Sequence, residues 1–297
     1  MLSIIIPVYN ESENLPILLK ELTMVLTKNT YETEIILVND GSTDKTMSNV
    51  KSQISYVKNI QLLSHRKRFG KGEALSTGLK HAKGNIIVFM DGDLQDDPAD
   101  IPHLLHEIRE GYDLVNGIMT KRKDNVVIKM YSSLANLFMK TFLHSPFTDI
   151  NCGFKAFKKE VLEEIVLYGN NFRFLPLAVF YKGYKVTEIP VHNRPRIHGV
   201  SKYGIGKLFF GIIDTLTTYF LYRFAEKPLH FFGLWGSVFF TAGFLLSFYL
   251  AVERIFFGML LYRRPILQFG ILLIIVGLQV IMTGIIGELI VYLHKKK

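Results

Sequence analysis

The chain has 297 residues, 49% of them hydrophobic, and a positive mean hydropathy, which together exclude an intrinsically disordered chain. Its single cysteine, Cys152, excludes an intrachain disulfide framework and a zinc site built from several cysteines. A net charge of +9 invites a nucleic-acid reading, but residues 1–204 hold 26 Lys and Arg against 22 Asp and Glu, while residues 205–297 hold 9 against 4. The basic excess is densest where the chain is most apolar, which suits a membrane-anchored protein with basic flanks and no nucleic-acid partner.

Leu2–Val8 is apolar but short, has no basic n-region and runs straight into Asn10-Glu11-Ser12-Glu13. It reads as a buried strand rather than a secretory signal, so this part of the chain is expected in the cytosol. A helix is expected from Glu11, with Asn10 as N-cap and Glu13 three residues on. Glu34–Asn39 follows as a second strand, Asp44–Gln53 as a helix and Ile60–Ser64 as a third strand. Gly72–Ala82 is helical and stops at Gly84, Asn85–Met90 is a fourth strand, and Pro102–Arg109 lies in a helix. This alternation predicts an α/β head, residues 1–204, with a mostly parallel, Rossmann-like sheet covered by helices on both faces.

The segment 205–228 opens with an amphipathic pattern. Ile205, Leu208, Phe209, Ile212, Ile213, Leu216 and Phe220 share one face, and Lys207, Gly211, Asp214 and Thr218 the other. It reads as a helix in the membrane interface plane, or as one packed on the head. Leu229–Val252 and Ile266–Gly287 are then uncharged runs, each long enough to span a bilayer, with helices expected over about 229–252 and 266–292. The alternative of two buried core helices is disfavoured by the length of the uncharged runs. The short connector Glu253–Pro265 makes the region 229–297 a hairpin with both chain ends on the cytosolic side. Arg223, Lys227 and Lys295-Lys296-Lys297 flank that side, although Arg254, Arg263 and Arg264 sit in the connector.

Open α/β sheets bind ligands at the carboxyl ends of their strands. Polar segments gather there: Pro7-Val8-Tyr9-Asn10-Glu11, Asn39-Asp40-Gly41-Ser42-Thr43-Asp44 and Asp91-Gly92-Asp93-Leu94-Gln95. Neither G-x-G-x-x-G nor a Walker A motif is present, which argues against a Rossmann dehydrogenase and a P-loop NTPase. Asp91 and Asp93, two apart on a tight turn, can meet one hard divalent cation; the bland alternative is a solvated turn in which they cap Gln95 onward. The nine histidines show no metal-ligand spacing, and His192 and His198, flanking Arg194–Arg196, read equally as phosphate contacts or as packing.

In this order, Ile5-Ile6-Pro7-Val8-Tyr9-Asn10-Glu11, Val38-Asn39-Asp40-Gly41-Ser42-Thr43-Asp44 and Asp91-Gly92-Asp93-Leu94-Gln95-Asp96-Asp97-Pro98 resemble glycosyltransferase family 2 of the GT-A fold. Asp149-Ile150-Asn151-Cys152-Gly153-Phe154-Lys155, Glu188-Ile189-Pro190-Val191 and Gly199-Val200-Ser201-Lys202-Tyr203 match later segments of that family, followed by the hairpin. The whole resembles the polyprenyl-phosphate glycosyltransferases.

The resemblance implies an inverting transfer of one sugar from a nucleotide diphosphate sugar to polyprenyl phosphate. The enzyme would sit in the cytoplasmic membrane, or in the endoplasmic reticulum of a eukaryote. A UDP-hexose is favoured as donor and GDP-mannose stays open. Pro7, Tyr9, Glu11 and Asp40 would line base and ribose. Lys71 would meet phosphate, and Asp91, Asp93 and Gln95 would hold Mg2+ or Mn2+ on the diphosphate, with Arg196, Ser201 and Lys202 closing over it on a loop loosened by Gly199. Arg122 and Lys129 would receive the lipid phosphate; the family often has arginine at the second position, and lysine keeps the charge without the fork. Asp149 would act as base or orient the acceptor. A processive polysaccharide synthase is the first rival, but Q-x-x-R-W is absent and the only tryptophan, Trp235, lies in the first span. A non-catalytic nucleotide-sugar-binding membrane subunit is the second. A homo-oligomer is compatible with the sequence.

Overall fold

The computed structural model describes residues 1–53, 59–119, 140–141, 145–150, 152–162, 165, 171–195, 206–258 and 265–296. It divides into two compact units, Met1–Thr215 and Leu216–Lys297.

In the first unit the chain runs β1 (Leu2–Val8), α1 (Asn14–Lys28), β2 (Thr33–Asn39), α2 (Thr46–Gln53), β3 (Ile60–Ser64), α3 (Lys71–His81), β4 (Ile86–Phe89), α4 (Ile101–Arg109), β5 (Leu114–Met119), β6 (Lys155–Lys158), α5 (Leu175–Tyr181) and β7 (Val186–Val191). The described strands form one seven-stranded sheet in the order β3-β2-β1-β4-β6-β5-β7. All neighbours pair in parallel except β6, which is antiparallel to both β4 and β5.

Successive side chains of a strand point to opposite faces, and here both faces are covered. Ile4, Ile6 and Val8 pack with Leu15, Leu18, Leu19 and Leu22 of α1 and with Leu104, Leu105 and Ile108 of α4. Ile5, between them, packs on the other face with Ala74 and Leu75 of α3 and with Leu175 and Val179 of α5. The uninterrupted apolar run of β1 thus has two partners, and each fully buried Ile or Leu contributes about 1.5–3 kcal/mol.

Two helix starts differ from the sequence reading. The first helix begins at Asn14, not Glu11, and Glu13 stands at its N-cap without a capping side-chain hydrogen bond. Asn10 is not the cap: its φ is +56°, and it binds the loop after β2 instead. Its N–H donates to Ser42 Oγ at 3.0 Å, and its Oδ1 accepts from the Thr43 N–H at 2.9 Å. The second helix begins at Thr46, after Asp44 has accepted the Thr46 N–H at 3.0 Å. Stitching two strand-end loops together satisfies more polar groups than one cap would, so the loops lengthen and the helices shorten.

The second unit holds α7 (Pro228–Phe257) and α8 (Pro265–Lys295), both long and apolar enough to cross a membrane and little buried within the structure. They extend past the uncharged runs at both ends. They meet through glycines seven residues apart on each helix, Gly236 and Gly243 against Gly277 and Gly270. A Cβ at Gly277 would lie 2.5 Å from the Phe240 N, and one at Gly243 2.6 Å from the Gly270 O. At one end of the hairpin Glu288 accepts the Leu229 N–H at 3.2 Å, and Lys295 pairs with Glu226 at 3.2 Å. The helix α6 (Gly206–Phe224) precedes them. Ile213 and Leu216 of its apolar face are exposed, whereas Thr218 of its polar face is buried, an arrangement that suits a helix turned toward lipid.

A side chain at the hairpin contact has no room, so Gly277→Leu is expected to cost at least about 1–3 kcal/mol from overpacking alone. Gly233 has nothing nearer than 3.6 Å to its missing Cβ, so Gly233→Ala should be neutral or stabilising by up to about 1 kcal/mol. Thermal unfolding of the two variants in detergent should show a clear drop for the first alone.

Candidate active site

The residues with chemistry lie on loops that leave the carboxyl ends of β1, β2 and β4. Asp40, directly after β2, donates its N–H to Val8 O at 2.9 Å. Its carboxylate accepts the N–H groups of Phe69 and Gly70, both at 2.8 Å, and meets His65 Nδ1 at 3.0 Å. The other ring nitrogen of His65 meets Thr77 Oγ1 at 3.0 Å. Asp40 thereby fixes the loop before α3, whose Gly70 has a φ of +105° that a side chain would resist. The loop delivers two cations. The Arg68 guanidinium stacks 4.1 Å above the Tyr9 ring. Lys71, at the start of α3, pairs with Asp91 and lies 5.0 Å from the Phe172 ring centroid.

The turn after β4 is tight. Leu94 is fully buried with a φ of +63°, a left-handed conformation that costs an L-residue about 1–2 kcal/mol. Asp93 accepts the Gln95 N–H at 3.2 Å, as the bland reading of the turn anticipated. Asp96, which the sequence reading left without a role, turns back beneath the turn and accepts the Asp91 N–H at 2.9 Å. Burial and the neighbouring Asp91 charge push its carboxyl up to about 7.

Gly153 brings the segment that follows Asp149 against this turn. A Cβ there would lie 2.8 Å from Asp91 Oδ2 and 2.9 Å from Lys71 Nζ. Asp149 is half-buried; its N–H donates to Glu188 Oε1 at 3.3 Å, and its carbonyl accepts from Asn116 Nδ2 at 2.7 Å. Lys155, almost wholly buried, donates its ammonium to the carbonyls of Ile150 and Cys152. Burial pulls its pKa down to about 8. Burial also pushes the Cys152 thiol up to about 12, which removes it as a nucleophile.

Asp91 and Lys71 are thus brought together at the turn that also carries Asp93 and Gln95, with Gly153 bringing the Asp149 segment alongside. Pro7 lies near the end of β1, and Tyr9 and Glu11 lie on the loop that follows it, where the Glu11 N–H donates to Thr46 Oγ1 at 2.9 Å. His192 pairs with Asp100 at 2.9 Å, and Arg194 reaches Asp97 at 2.7 Å and Glu21 at 2.6 Å. Both tie the end of β7 to the segment after β4. Arg122, Lys129, Asn151, Arg196, His198, Gly199, Ser201, Lys202, Ile205, Arg263, Arg264 and Lys297 lie outside the described residues. Asp96, Lys155 and Glu188 stood in quoted motifs without roles, and Asn116 in none; a charged residue inside a strand pattern is the signal that could have marked Glu188.

Among the described residues no three His, Cys, Asp or Glu side chains converge on one metal-holding point. Two carboxylates and one amide nonetheless fit magnesium or manganese, which take hard oxygens and leave positions for phosphate and water. Asp91 already holds a cation, the Lys71 ammonium.

Asp96 gives a pH dependence with a definite sign. Its carboxyl titrates near 7 in the folded chain against 3.8 for the ordinary group, so the folded state binds more protons between these values. Its contribution to stability is fully present below about 4 and is lost as pH rises to about 7. Asp96→Asn keeps an acceptor for the Asp91 N–H and removes the titration. In chelator-treated protein the Tm of the variant relative to the parent should therefore rise from pH 4 to pH 7; a constant difference would count against the assignment.

Residues 3–166 match the family described as Glycosyl transferase family 2. The dodecaprenyl-phosphate galacturonate synthase of Rhizobium johnstonii is 32% identical over 97% of this chain and 87% of its own length. The undecaprenyl-phosphate 4-deoxy-4-formamido-L-arabinose transferase of Photorhabdus laumondii subsp. laumondii is 31% identical over 97% and 88%. Among solved structures, the glucosyl-3-phosphoglycerate synthase of Mycobacterium tuberculosis in complex with Mn2+ and UDP-glucose superposes with a TM-score of 0.58, covering 74% of this chain and 78% of that one. At 18% identity that likeness shows the fold alone. The GT-A-like sheet, the strand-end carboxylates, the two membrane-length helices and these relatives agree: the chain belongs to glycosyl transferase family 2 and is a glycosyltransferase.

Proposed function

We propose that this glycosyltransferase moves one sugar from a nucleotide diphosphate sugar, a UDP-hexose before GDP-mannose, to a polyprenyl phosphate at the cytosolic face of the membrane. The observation that carries the reading is the turn Asp91–Gln95, which sets Asp91 against Lys71 and carries Asp93 two residues on, at the strand ends of a chain that also has two membrane-length helices. The Rhizobium and Photorhabdus relatives, both polyprenyl-phosphate sugar enzymes matching over 97% of the chain, support the acceptor.

In this reading Pro7, Tyr9 and Glu11 line the nucleoside, and Asp40 serves the same pocket by holding the loop that carries Arg68 and Lys71. Asp91, Asp93 and Gln95 hold Mg2+ or Mn2+, which when bound stabilises negative charge on the departing nucleoside diphosphate. Lys71 offers a point charge to the same phosphates. An oxygen of the lipid phosphate attacks the anomeric carbon as the bond to the diphosphate breaks, inverting the configuration. That oxygen is largely deprotonated at neutral pH, since the second pKa of a phosphate monoester lies near 6. Asp149 therefore orients the acceptor rather than working as a strong base. Arg122 and Lys129 would receive the lipid phosphate, and Arg196, Ser201 and Lys202 would close over the donor. Both chain ends would lie on the cytosolic side, and the hairpin would confine the enzyme to the membrane that holds its acceptor.

The test is transfer of labelled sugar into solvent-extractable lipid. Purified full-length chain receives polyprenyl phosphate, magnesium or manganese, and each of several nucleotide sugars. Label is expected from one donor, abolished by chelation and restored by the metal. Asp93→Asn should lower it by at least about 100-fold, the scale of several kcal/mol of lost charge stabilisation. Label in polymer rather than in a single-sugar lipid, or none from any donor in folded, metal-supplied protein, would overturn the reading.

A further inference from the structure

The proposed acceptor-side residue, Asp149, sits on a loop, and a loop does not by itself hold a side chain to the tolerance that catalysis needs. Two buried or half-buried polar side chains inside the sheet are directed at that loop. Asn116 in β5 and Glu188 in β7 are cross-strand partners in the parallel register. Asn116 is fully buried and Glu188 is half-buried, where a polar group is costly unless it is bonded.

Their bonds converge on two residues. Glu188 Oε2 accepts the N–H and the hydroxyl of Thr148, both at 2.7 Å. Glu188 Oε1 accepts the Asp149 N–H at 3.3 Å and Asn116 Nδ2 at 3.0 Å. Asn116 Nδ2 also donates to the Asp149 carbonyl at 2.7 Å, while Oδ1 of the same amide is buried with no hydrogen-bond partner. A turned amide would set that oxygen against a carboxylate and a carbonyl, so its orientation is fixed. Asp149 is therefore gripped on both sides of its Cα, by its N–H through Glu188 and by its C=O through Asn116. Two strands of the sheet, not the loop, set the direction in which its side chain leaves the chain.

We propose that Glu188 and Asn116 are positioning residues that act through Asp149, setting the acceptor-side geometry without touching the nucleotide. The proposal rests on the reading of Asp149 given above. Neither strand residue belongs to the turn Asp91–Gln95 or to the Tyr9 loop, so donor affinity should be untouched when the clasp is broken. Lys155 supports the far side of the same loop through the carbonyls of Ile150 and Cys152.

The experiment uses the full-length chain in detergent with polyprenyl phosphate and its nucleotide sugar. Four variants are compared: E188Q, T148V, D149N and D149N/E188Q. E188Q keeps the shape but removes the charge and presents an NH2 group to N–H donors. A misplacement of about 1 Å can cost about 100-fold in rate, so kcat for E188Q should fall by up to about 100-fold. KM for the nucleotide sugar, and UDP affinity measured with manganese, should stay within about twofold of the parent. T148V deletes one exposed hydroxyl bond and should give a smaller loss of the same kind, so the question remains answerable if E188Q does not fold. In the D149N background E188Q should cost little more, about threefold at most, because the residue it positions is already disabled. Unchanged kcat in E188Q and T148V, weakened nucleotide binding, or a full multiplicative loss in the double variant would each overturn the clasp. Wild-type kcat in D149N would instead overturn the role of Asp149 itself.

Discussion

Negative charge crowded onto one strand end is the constraint on which the rest of the site depends. Asp91, Asp93 and Asp96 fall within six residues, and the last is buried. Like charges that close cannot all stay ionised in a desolvated place without help. Three devices supply it. Lys71 crosses from α3 to pair with Asp91, the turn aims the N–H groups of Asp91 and Gln95 at Asp96 and Asp93, and Asp96 keeps its proton to near neutrality. Each device reaches further into the fold. Lys71 is in place because Asp40 fixes the loop before it, and Gly153 must lack a side chain because that space holds the ion pair.

The first four strands were legible because each is a short apolar run ending in polar turn residues, the pattern of strands buried on both faces. The last three were not. Residues Leu114–Met119 are interrupted by Asn116, Lys155–Lys158 are only four residues with a lysine at each end, and Val186–Val191 contain Glu188 and Pro190. Three of the polar residues that hide these strands, Asn116, Lys155 and Glu188, hold the Asp149 loop, so the sequence pattern fails where side chains are committed to the site. Much the same holds for Asn10, whose composition suggests a cap and whose partners lie 32 and 33 residues away.

Of the site, the meeting of Asp91 with Lys71 could be anticipated from strand-end logic, since both follow elements of one parallel sheet. The burial of Asp96 and Lys155 could not, because it depends on what packs above them: a carboxylate under a turn and an ammonium under two carbonyls look like ordinary charged loop residues in sequence. The spans were plain from composition. Their glycines, a small fraction of an apolar run, gain meaning only when the seven-residue interval on one helix is found opposite the same interval on the other.

That interval has a mechanical consequence. Gly236 meets Gly277 and Gly243 meets Gly270, so the two helices lie in notches rather than on smooth surfaces. A slide of one helix along the other by one or two residues would drive Phe240 or Ile281 into the opposing backbone. The next register that sets both Gly236 and Gly243 against glycines lies seven residues on, about 10 Å at 1.5 Å per residue. Small piston strokes within the hairpin are thereby suppressed, and the pair responds to a change in bilayer thickness by tilting as one stave.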